Sequence, residues 1–297
     1  MKPPPFEYQA PDSLEGALAI LAEHGDEAKV LAGGQSLIPA MNFRVAQPTL
    51  LVDLNGLAEL SYIRQADDGG LLIGAMTRQR QLELDELVAE SAPLLHEAMP
   101  HIAHPQIRNR GTLGGSLVHA DPASELPVVA LARGATMRVR GPDGEREVPA
   151  ESFFLGMFTT DLQPEEILVE VALPPMPANA GWSFKEVSRR RGDYAMMGVG
   201  TLVTLDEKGV CQQASLVYLN AGDGPVAAPQ AAEALQGEKQ TPEAVEAAAV
   251  KAAEDEIEPF GNVHASVEYQ RHLARVLTRQ ALETAFERAA ASLKNGG

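Results

Sequence analysis

Two glycine doublets, far apart in the chain, constrain the fold more than any other feature of this sequence. The first lies in Ala32-Gly33-Gly34-Gln35-Ser36 and the second in Thr112-Leu113-Gly114-Gly115-Ser116. Consecutive glycines let the backbone turn through positive φ, and they let a ligand approach closely because no Cβ intervenes. Successive N–H groups in such a turn form a concave nest for an anion. The pair predicts two loops that hold the two phosphates of a dinucleotide, one from each side.

The overall composition excludes several classes of protein. The chain has 297 residues, of which 45% are hydrophobic, so it can bury a core. The same hydrophobic fraction excludes a chain that is disordered by composition. Its formal charge of −17 argues against nucleic-acid binding, which needs clustered lysines and arginines. The single cysteine, Cys211, is expected to be buried, and it supplies neither a disulfide framework nor an iron–sulfur cluster. No signal-peptide pattern and no apolar segment of about 20 residues is visible, which predicts a cytoplasmic protein.

Residues 1–54 have the pattern of a small α/β subdomain. A helix is expected after Asp12 or Ser13, since both have capping side chains, and Gly25 is placed to end it. The apolar segment 29–31 predicts a strand that leads into the first glycine doublet, and segment 49–54 predicts another strand. A strand, a glycine loop, a helix and a second strand in this order are the usual setting for phosphate binding.

Residues 55–177 predict a second subdomain, which carries the other doublet. Thr77 is expected to cap a helix that ends at Leu84, and turn residues at 141–144 are expected to join a β-hairpin. Further strands are expected over 70–75 and 166–173, and further helices over 92–102 and 125–131.

A proline-rich linker at 174–181 is the clearest boundary in the chain, and residues 178–297 form the third predicted unit. Its apolar segments predict an antiparallel sheet followed by two helices. The strands are expected over 182–187, 195–205 and 210–219, and the helices over 241–254 and 266–293. The predicted fold class is therefore α+β, with two α/β subdomains followed by a C-terminal domain of antiparallel sheet and helices.

Five sequence blocks, in this order along the chain, carry a family resemblance. They are Ala-Gly-Gly-Gln-Ser-Leu-Ile-Pro at 32–39, Pro-Gln-Ile-Arg at 105–108, Thr-Leu-Gly-Gly at 112–115, Asp-Pro-Ala-Ser-Glu-Leu-Pro at 121–127 and Arg-Arg-Arg-Gly-Asp-Tyr-Ala at 189–195. Together they resemble the FAD-binding medium subunit of the molybdenum hydroxylases, the family of xanthine dehydrogenase and carbon monoxide dehydrogenase. The resemblance runs nearly from end to end and implies a PCMH-type FAD-binding fold for the first two subdomains.

The resemblance also implies partners and a role. Such a subunit sits beside a small subunit with [2Fe–2S] clusters and a large molybdopterin subunit, and we expect a dimer of these heterotrimers. Electrons from the clusters pass through FAD to an external acceptor, so no residue of this chain is expected to be catalytic toward the hydroxylated substrate. The lone Cys211 fits this role, because the clusters then belong to another chain.

The same resemblance implies which residues bind FAD. Around the diphosphate they are Leu31, Ala32, Gly33, Gly34, Gln35, Ser36, Leu37 and Ile38 in the first loop, and Thr112, Leu113, Gly114, Gly115 and Ser116 in the second. Ser36 is expected to donate to a phosphate oxygen, to cap the following helix, or both. Leu113 is expected to pack in the core.

Six further residues are assigned by resemblance to the sugars and the flavin ring. Glu125 is expected to bond the adenosine portion, and Asp121 either joins it or caps a turn. Of the other four, Leu168, Lys185 and Tyr194 are expected near the ring, and Ile102 is expected to pack near the cofactor. For each of these four an ordinary packing or surface role is the alternative.

Other features leave alternatives open. Residues 189–191 are the only run of arginines in an acidic chain, and they either dock a partner subunit or are simply solvated. The seven histidines show no metal-binding spacing, so no metal site is predicted. Two other functions compete with the flavin subunit: a self-sufficient FAD-dependent oxidase or dehydrogenase of a small alcohol or amine, and an assembly subunit without cofactor.

Overall fold

Three main β-sheets follow one another along the chain in the computed structural model, which describes residues 2–295. They take their strands from residues 7–53, 63–173 and 180–227, and a two-stranded sheet accompanies the second. We call these stretches, with their helices, the first, second and third lobes. The mixed fold confirms the predicted class, whereas the domain boundaries drawn from the sequence remain predictions.

The first lobe is a parallel three-stranded sheet. Its elements are β1 (Glu7–Gln9), α1 (Leu14–His24), β2 (Ala28–Leu31), α2 (Leu37–Asn42) and β3 (Leu50–Asp53), in sheet order β1-β3-β2. The predicted succession of strand, glycine loop, helix and strand is confirmed. Ser13, not Asp12, caps α1, because its hydroxyl accepts a 3.1 Å hydrogen bond from the N–H of Gly16. Strand β1 was missed by the sequence analysis, since Glu7-Tyr8-Gln9 is short and not apolar.

The second lobe is a five-stranded antiparallel sheet with helices. Its elements are β4 (Ile63–Gln65), β5 (Leu71–Gly74), α3 (Gln79–Leu84), α4 (Glu86–Ser91), α5 (Pro93–Ala98), α6 (Pro105–Arg108), α7 (Leu113–His119), α8 (Glu125–Ala132), β6 (Thr136–Gly141), β7 (Gly144–Pro149), α9 (Ala150–Phe153), β8 (Phe154–Gly156), β9 (Thr159–Thr160) and β10 (Ile167–Leu173). The sheet order is β4-β5-β10-β6-β7, and β8 pairs with β9 separately. The predicted hairpin is confirmed as β6 and β7.

Two predicted helix details in this lobe are wrong. Thr77 does not cap α3; its hydroxyl instead donates to the carbonyl of Tyr62 and accepts from the N–H of Tyr62. The helix begins one residue later than predicted, at Gln79. Arg78 is its N-cap residue, and the N–H of Arg78 donates to the side chain of Gln81. The helix expected over 92–102 ends at Ala98 and continues only as a short 3₁₀ turn.

The third lobe is a four-stranded antiparallel sheet covered by helices. Its elements are β11 (Ala180–Ser188), β12 (Ala195–Leu205), β13 (Cys211–Leu219), β14 (Val226–Ala227), α10 (Pro229–Glu233), α11 (Pro242–Lys251) and α12 (Val267–Asn295). The three predicted strands and both predicted helices are confirmed, and Cys211 is buried. Helix α8 of the second lobe packs on β12 and β13, which fixes the second lobe against the third. No helix within residues 2–295 is long and apolar enough to span a bilayer.

Candidate functional site

A cleft of about 700 Å³ lies where the three lobes meet. The first lobe contributes the glycine loop between β2 and α2, which we call the first loop (residues 32–36). The second lobe contributes the segment that leads into α7, which we call the second loop (residues 111–116), and also residues 121–125. The third lobe contributes residues 192–194. The cleft is thus walled by segments that are remote in sequence.

The first loop offers free hydrogen-bond donors. Gly34 has φ +71°, a conformation that favours glycine, and the chain turns there into α2. Among the residues that the structure describes, none accepts a hydrogen bond from the backbone N–H of Gly34, Gln35 or Ser36. Ser36 occupies the N-cap position of α2, but its hydroxyl makes no capping hydrogen bond. The loop thus carries three backbone N–H groups without a partner and a hydroxyl beside them, as the predicted amide nest requires.

The second loop is different, because the N–H groups of residues 113–116 are already bonded within the protein. The N–H of Leu113 donates to Thr77 O at 3.0 Å, and that of Gly114 donates to Ala75 O at 2.8 Å. The Thr112 hydroxyl caps α7 by accepting from the N–H of Gly115 at 3.1 Å. The expectation of a second amide nest is therefore wrong for residues 113–116, and the polar groups that this loop adds to the cleft are the hydroxyls of Thr112 and Ser116.

The glycines of the two loops allow the loops to touch. A Cβ on Gly33 would lie 2.5 Å from Arg110 O and 2.7 Å from Gly111 Cα, both of them backbone atoms. A Cβ on Gly114 would lie 2.6 Å from the Cβ of Ala75. Gly33 is thus required by the close approach of the first loop to the backbone of residues 110–111, which brings the two halves of the site together, whereas Gly114 is required by packing on Ala75 within the second lobe.

A polar network ties the same loops to each other. The Asn55 side chain donates to Ala32 O at 2.9 Å and accepts from the guanidinium of Arg78 at 2.5 Å. Arg78 also donates to the carbonyl of Arg110, which directly precedes the second loop. Through Asn55 and Arg110, Arg78 therefore links the two loops. Asp53 accepts from Asn55, and hydrogen bonds from Tyr8 and Asn55 hold its pKa below the ordinary value although partial burial works in the opposite direction.

The end of the cleft that residues 121–125 form is acidic. Glu125 begins α8 and is 8% exposed; burial, and then the neighbouring charge of Glu186, raise its pKa to about 8. Glu125 therefore holds a proton at neutral pH. Asp121 lines the same end and accepts from the N–H of Ala123 at 2.9 Å, which is the turn-capping role expected as the alternative. Ser116 shares a 2.9 Å hydrogen bond with the Ser124 hydroxyl.

Most of the residues predicted from the sequence are brought together in this cleft. Those that line it are Ala32, Gly33, Gly34, Gln35, Ser36, Leu37, Ile102, Thr112, Gly114, Gly115, Ser116, Asp121, Glu125, Leu168 and Tyr194. Leu31 and Ile38 line a smaller cavity of about 420 Å³, which shares the wall of the first loop. Leu113 packs in the core as expected, and Lys185 lies on β11 and lines neither cavity.

Several wall residues were missed by the sequence analysis. His119 and Phe158 both line the cleft, with ring centroids 5.0 Å apart, and burial lowers the pKa of His119. Gln79 lines it at the start of α3. None of these residues belongs to a local motif. Their places in the wall depend on how α3, α7 and the turn between β8 and β9 pack around the cleft, and the local sequence does not reveal that packing.

The donors and acceptors of the cleft fit a flavin dinucleotide. Free amides and a hydroxyl suit a diphosphate, and the acids at the other end suit the hydroxyl and N–H groups of sugars and rings. Within residues 2–295, no group of three or more histidine, cysteine, aspartate or glutamate side chains is arranged to hold a metal ion.

Two family models match the chain in succession. Residues 4–176 match the FAD binding domain in molybdopterin dehydrogenase, and residues 182–285 match the CO dehydrogenase flavoprotein C-terminal domain. The first match covers more than half of the chain, and the second covers most of the third lobe.

Full-length relatives agree with these matches. The chain is 43% identical to the 6-hydroxypseudooxynicotine dehydrogenase complex subunit alpha of Paenarthrobacter nicotinovorans, over 97% of each chain. It is 37% identical to the carbon monoxide dehydrogenase medium chain of Hydrogenophaga pseudoflava, over 98% of this chain and all of that one.

Solved structures extend the likeness to three dimensions. A carbon monoxide dehydrogenase from Hydrogenophaga pseudoflava, which lacks the Mo-pyranopterin moiety of its cofactor, contains a chain that matches with a TM-score of 0.94 and 38% identity, covering 97% of this chain and 99% of that one. Quinoline 2-oxidoreductase from Pseudomonas putida 86 contains one that matches with a TM-score of 0.91 and 37% identity, covering 97% of this chain and 99% of that one.

Proposed function

Because the chain belongs to the family of FAD-binding subunits of molybdopterin dehydrogenases, we propose that it passes electrons from [2Fe–2S] clusters in a partner subunit, through FAD, to an external acceptor. It is an FAD-binding component of a molybdenum hydroxylase-type oxidoreductase. In this proposal the chain does not hydroxylate the substrate, whose site lies on the molybdopterin subunit.

The observation that carries the proposal is the set of free amides in the first loop, within the segment that matches the FAD-binding family. The N–H groups of Gly34, Gln35 and Ser36 and the hydroxyl of Ser36 would hold the diphosphate. Thr112 and Ser116 would close the other side with their hydroxyls. The charge of Asp121 would repel a phosphate, which favours the first loop as the place of the diphosphate.

The acidic end would receive the uncharged parts of the cofactor. When bound, FAD supplies redox chemistry that exchanges electrons with one-electron and two-electron partners. Glu125, which holds a proton at neutral pH, can both donate a hydrogen bond and accept one from a sugar hydroxyl. Leu168, Ile102 and Tyr194 line this part of the cleft and would surround the ring.

Tyr194 is the residue through which access to the ring would be controlled. It follows the arginine run and is 70% exposed although it lines the cleft, so it stands at the mouth. An aromatic side chain at that place would stack on the flavin and shield it from oxygen. Lys185 lines neither cavity, so its positive charge would have to act on the ring from a distance.

The proposed partners follow from the family. The relatives are named as a complex subunit and as a medium chain, which fits a chain that works within a larger assembly. We propose a small iron–sulfur subunit and a large molybdopterin subunit as partners, in a dimer of heterotrimers. Arginines 189–191 are exposed beside the cleft mouth and would help to dock a partner.

Reduction of the bound flavin by two routes tests the proposal. The full chain is purified, its flavin is identified and quantified, and the chain is then mixed with the reduced iron–sulfur subunit of the proposed complex. We expect one FAD per chain, reduced rapidly by that subunit and not by small alcohols, amines or N-heterocycles. Direct reduction of the isolated chain by such a substrate would instead show a self-sufficient flavoenzyme, and a folded chain without flavin affinity would show an assembly subunit.

A further inference from the structure

Arg108 does not line the cleft, but it holds a part of the cleft wall. It is the last residue of α6, it belongs to the Pro-Gln-Ile-Arg block of the sequence, and it is 5% exposed. Its guanidinium donates two 2.8 Å hydrogen bonds to the carboxylate of Glu83 on α3, and chiefly these bonds hold the pKa of Glu83 below its ordinary value. The pair is therefore ionised at neutral pH, and its two parallel bonds fix the plane of the guanidinium.

The same guanidinium holds the backbone of residues 102–104, which we call the ledge. Its Nη1 atom donates to Ile102 O at 2.7 Å and to Ala103 O at 3.2 Å. Ala103 has φ +43°, a conformation that is unfavourable for alanine and persists only where the surroundings support it. Ile102 and Ala103 both line the cleft. Arg108 thus fixes a strained turn in the cleft wall.

The ledge supports the part of the third lobe that reaches the cleft mouth, which we call the mouth segment (residues 189–194). Gly192 has φ +84°, and a Cβ at this position would lie 2.8 Å from Ala103 O and 2.5 Å from the Nδ1 atom of His104. The mouth segment therefore lies directly on the ledge, and residues 192–194 line the cleft beside it. A displacement of the ledge would displace this segment, and Tyr194 with it.

We propose that Arg108 is a positioning residue of the flavin site, because it holds the ledge on which the mouth segment lies and so places Tyr194 at the cleft mouth. The effect on the flavin rests on the proposed function, whereas the contact of Arg108, ledge and mouth segment belongs to the chain alone. Lysine is not equivalent at position 108, since its single ammonium group lacks the planar fork that serves a carboxylate and two carbonyls at once.

Limited proteolysis of the full-length apo chain tests the contact without cofactor. Trypsin cleaves after arginine, residues 189–191 are exposed, and cleavage of a folded chain follows the population of locally opened molecules. Losing one hydrogen bond to a charged group changes such a population by at least about tenfold, so we expect Arg108→Lys to speed cleavage at 189–191 about tenfold. Lys208, exposed in the turn between β12 and β13, is the internal reference, because a general loss of stability would speed cleavage at both places.

Gly192→Ala disturbs the same contact from the other side, and it keeps the test decisive if Arg108→Lys does not fold. We expect the same selective increase in cleavage, and little further increase when the two substitutions are combined, because both act on one contact. Arg80→Gln is one control, since Arg80 also pairs with Glu83, at 2.8 Å, but is not bonded to the ledge. Gly237→Ala is the other, since Gly237 has φ +81° and a Cβ there meets nothing within 4 Å. Neither control should change cleavage at 189–191.

With FAD bound, the same variants report on the flavin. We expect Arg108→Lys and Gly192→Ala to speed the oxidation of reduced flavin by O₂ by about the same factor as Tyr194→Ala, and Tyr194→Ala to add nothing to Arg108→Lys. Cleavage at 189–191 that rises no more than cleavage at Lys208 overturns the inference, and so does unchanged flavin oxidation in a variant whose cleavage has risen. Wild-type apo chain that does not bind FAD overturns the proposed function instead, and the cleavage experiment then still decides whether Arg108 holds the ledge.

Discussion

The contact between the two loops makes Gly33 the most sensitive position of the site. A Cβ at this position would lie 2.5 Å from Arg110 O, whereas non-bonded heavy atoms are comfortable at about 3.5 Å. The substitution Gly33→Ala therefore forces the first loop away from Arg110 and Gly111 by roughly 1 Å. Both opposing atoms belong to the backbone, so no side-chain rotation relieves the clash.

The consequence for FAD binding can be estimated from this displacement. A shift of about 1 Å takes a hydrogen bond of about 2.9 Å beyond the distance at which it is effective. Losing one hydrogen bond to a charged group costs about 1.5–3 kcal/mol, which corresponds to a roughly 10- to 150-fold weaker Kd. We therefore expect Gly33→Ala to weaken FAD binding at least about tenfold and to lower the Tm of the apo chain, because overpacking costs about 1–3 kcal/mol.

Flavin titration of the apo chain measures this effect directly. Gly224→Ala is the matched control, since a Cβ on Gly224 meets nothing within 4 Å and that residue lines neither cavity. It should change neither the Kd for FAD nor the Tm appreciably. If Gly33→Ala bound FAD within twofold of wild type, close contact of the loops would not be needed for the site, and the reasoning from Gly33 would fail.

Four further outcomes are expected. Thr112→Val removes the cap of α7 at Gly115 and should lower the free energy of unfolding by about 1 kcal/mol in denaturant titrations. Glu125 has a raised pKa of about 8, so the apo chain should lose stability as pH rises from 5 toward 8.5. Glu125→Gln should remove this part of the decline. Equal Tm–pH profiles for the variant and the wild type would contradict this prediction. Reversing the charges of residues 189–191 should weaken assembly with the partner subunits in size-exclusion chromatography. Tyr194→Ala should speed the oxidation of reduced flavin by O₂ in stopped-flow measurements.

The fold was predictable wherever a local pattern determined it. The first loop follows a short apolar strand and precedes α2, and each of these signals lies within a few residues of the next. The three strands of the third lobe were equally visible, because apolar segments of that length favour strands. The cap at Thr77 was wrong because a long-range contact, its pair of hydrogen bonds with Tyr62, outweighed the local capping signal.

The site was predictable in its residues but only partly in its chemistry. Glycine doublets signal close approach, but a doublet alone does not reveal whether a ligand or another backbone segment approaches. Gly34 turns the loop that carries free amides. Gly33 instead leaves room for the backbone of residues 110–111, and Gly114 leaves room for Ala75. Asn55 gave no signal at all, because its role depends on which loops meet in the folded chain.

The placement of charge around the first loop supports the proposal that the diphosphate binds there. At the first-loop end, Arg78 and Arg110 stand with one carboxylate, Asp53, and burial together with the like charge of Arg110 lowers the pKa of Arg78. Two guanidinium groups and the Asp53 carboxylate thus lie beside the first loop, although the chain as a whole has a formal charge of −17. The other end carries Asp121 and a Glu125 that ionises only in alkaline solution. Because the Arg78 bridge and the loop contact exist within the protein itself, the site is preorganised, and binding does not have to assemble it.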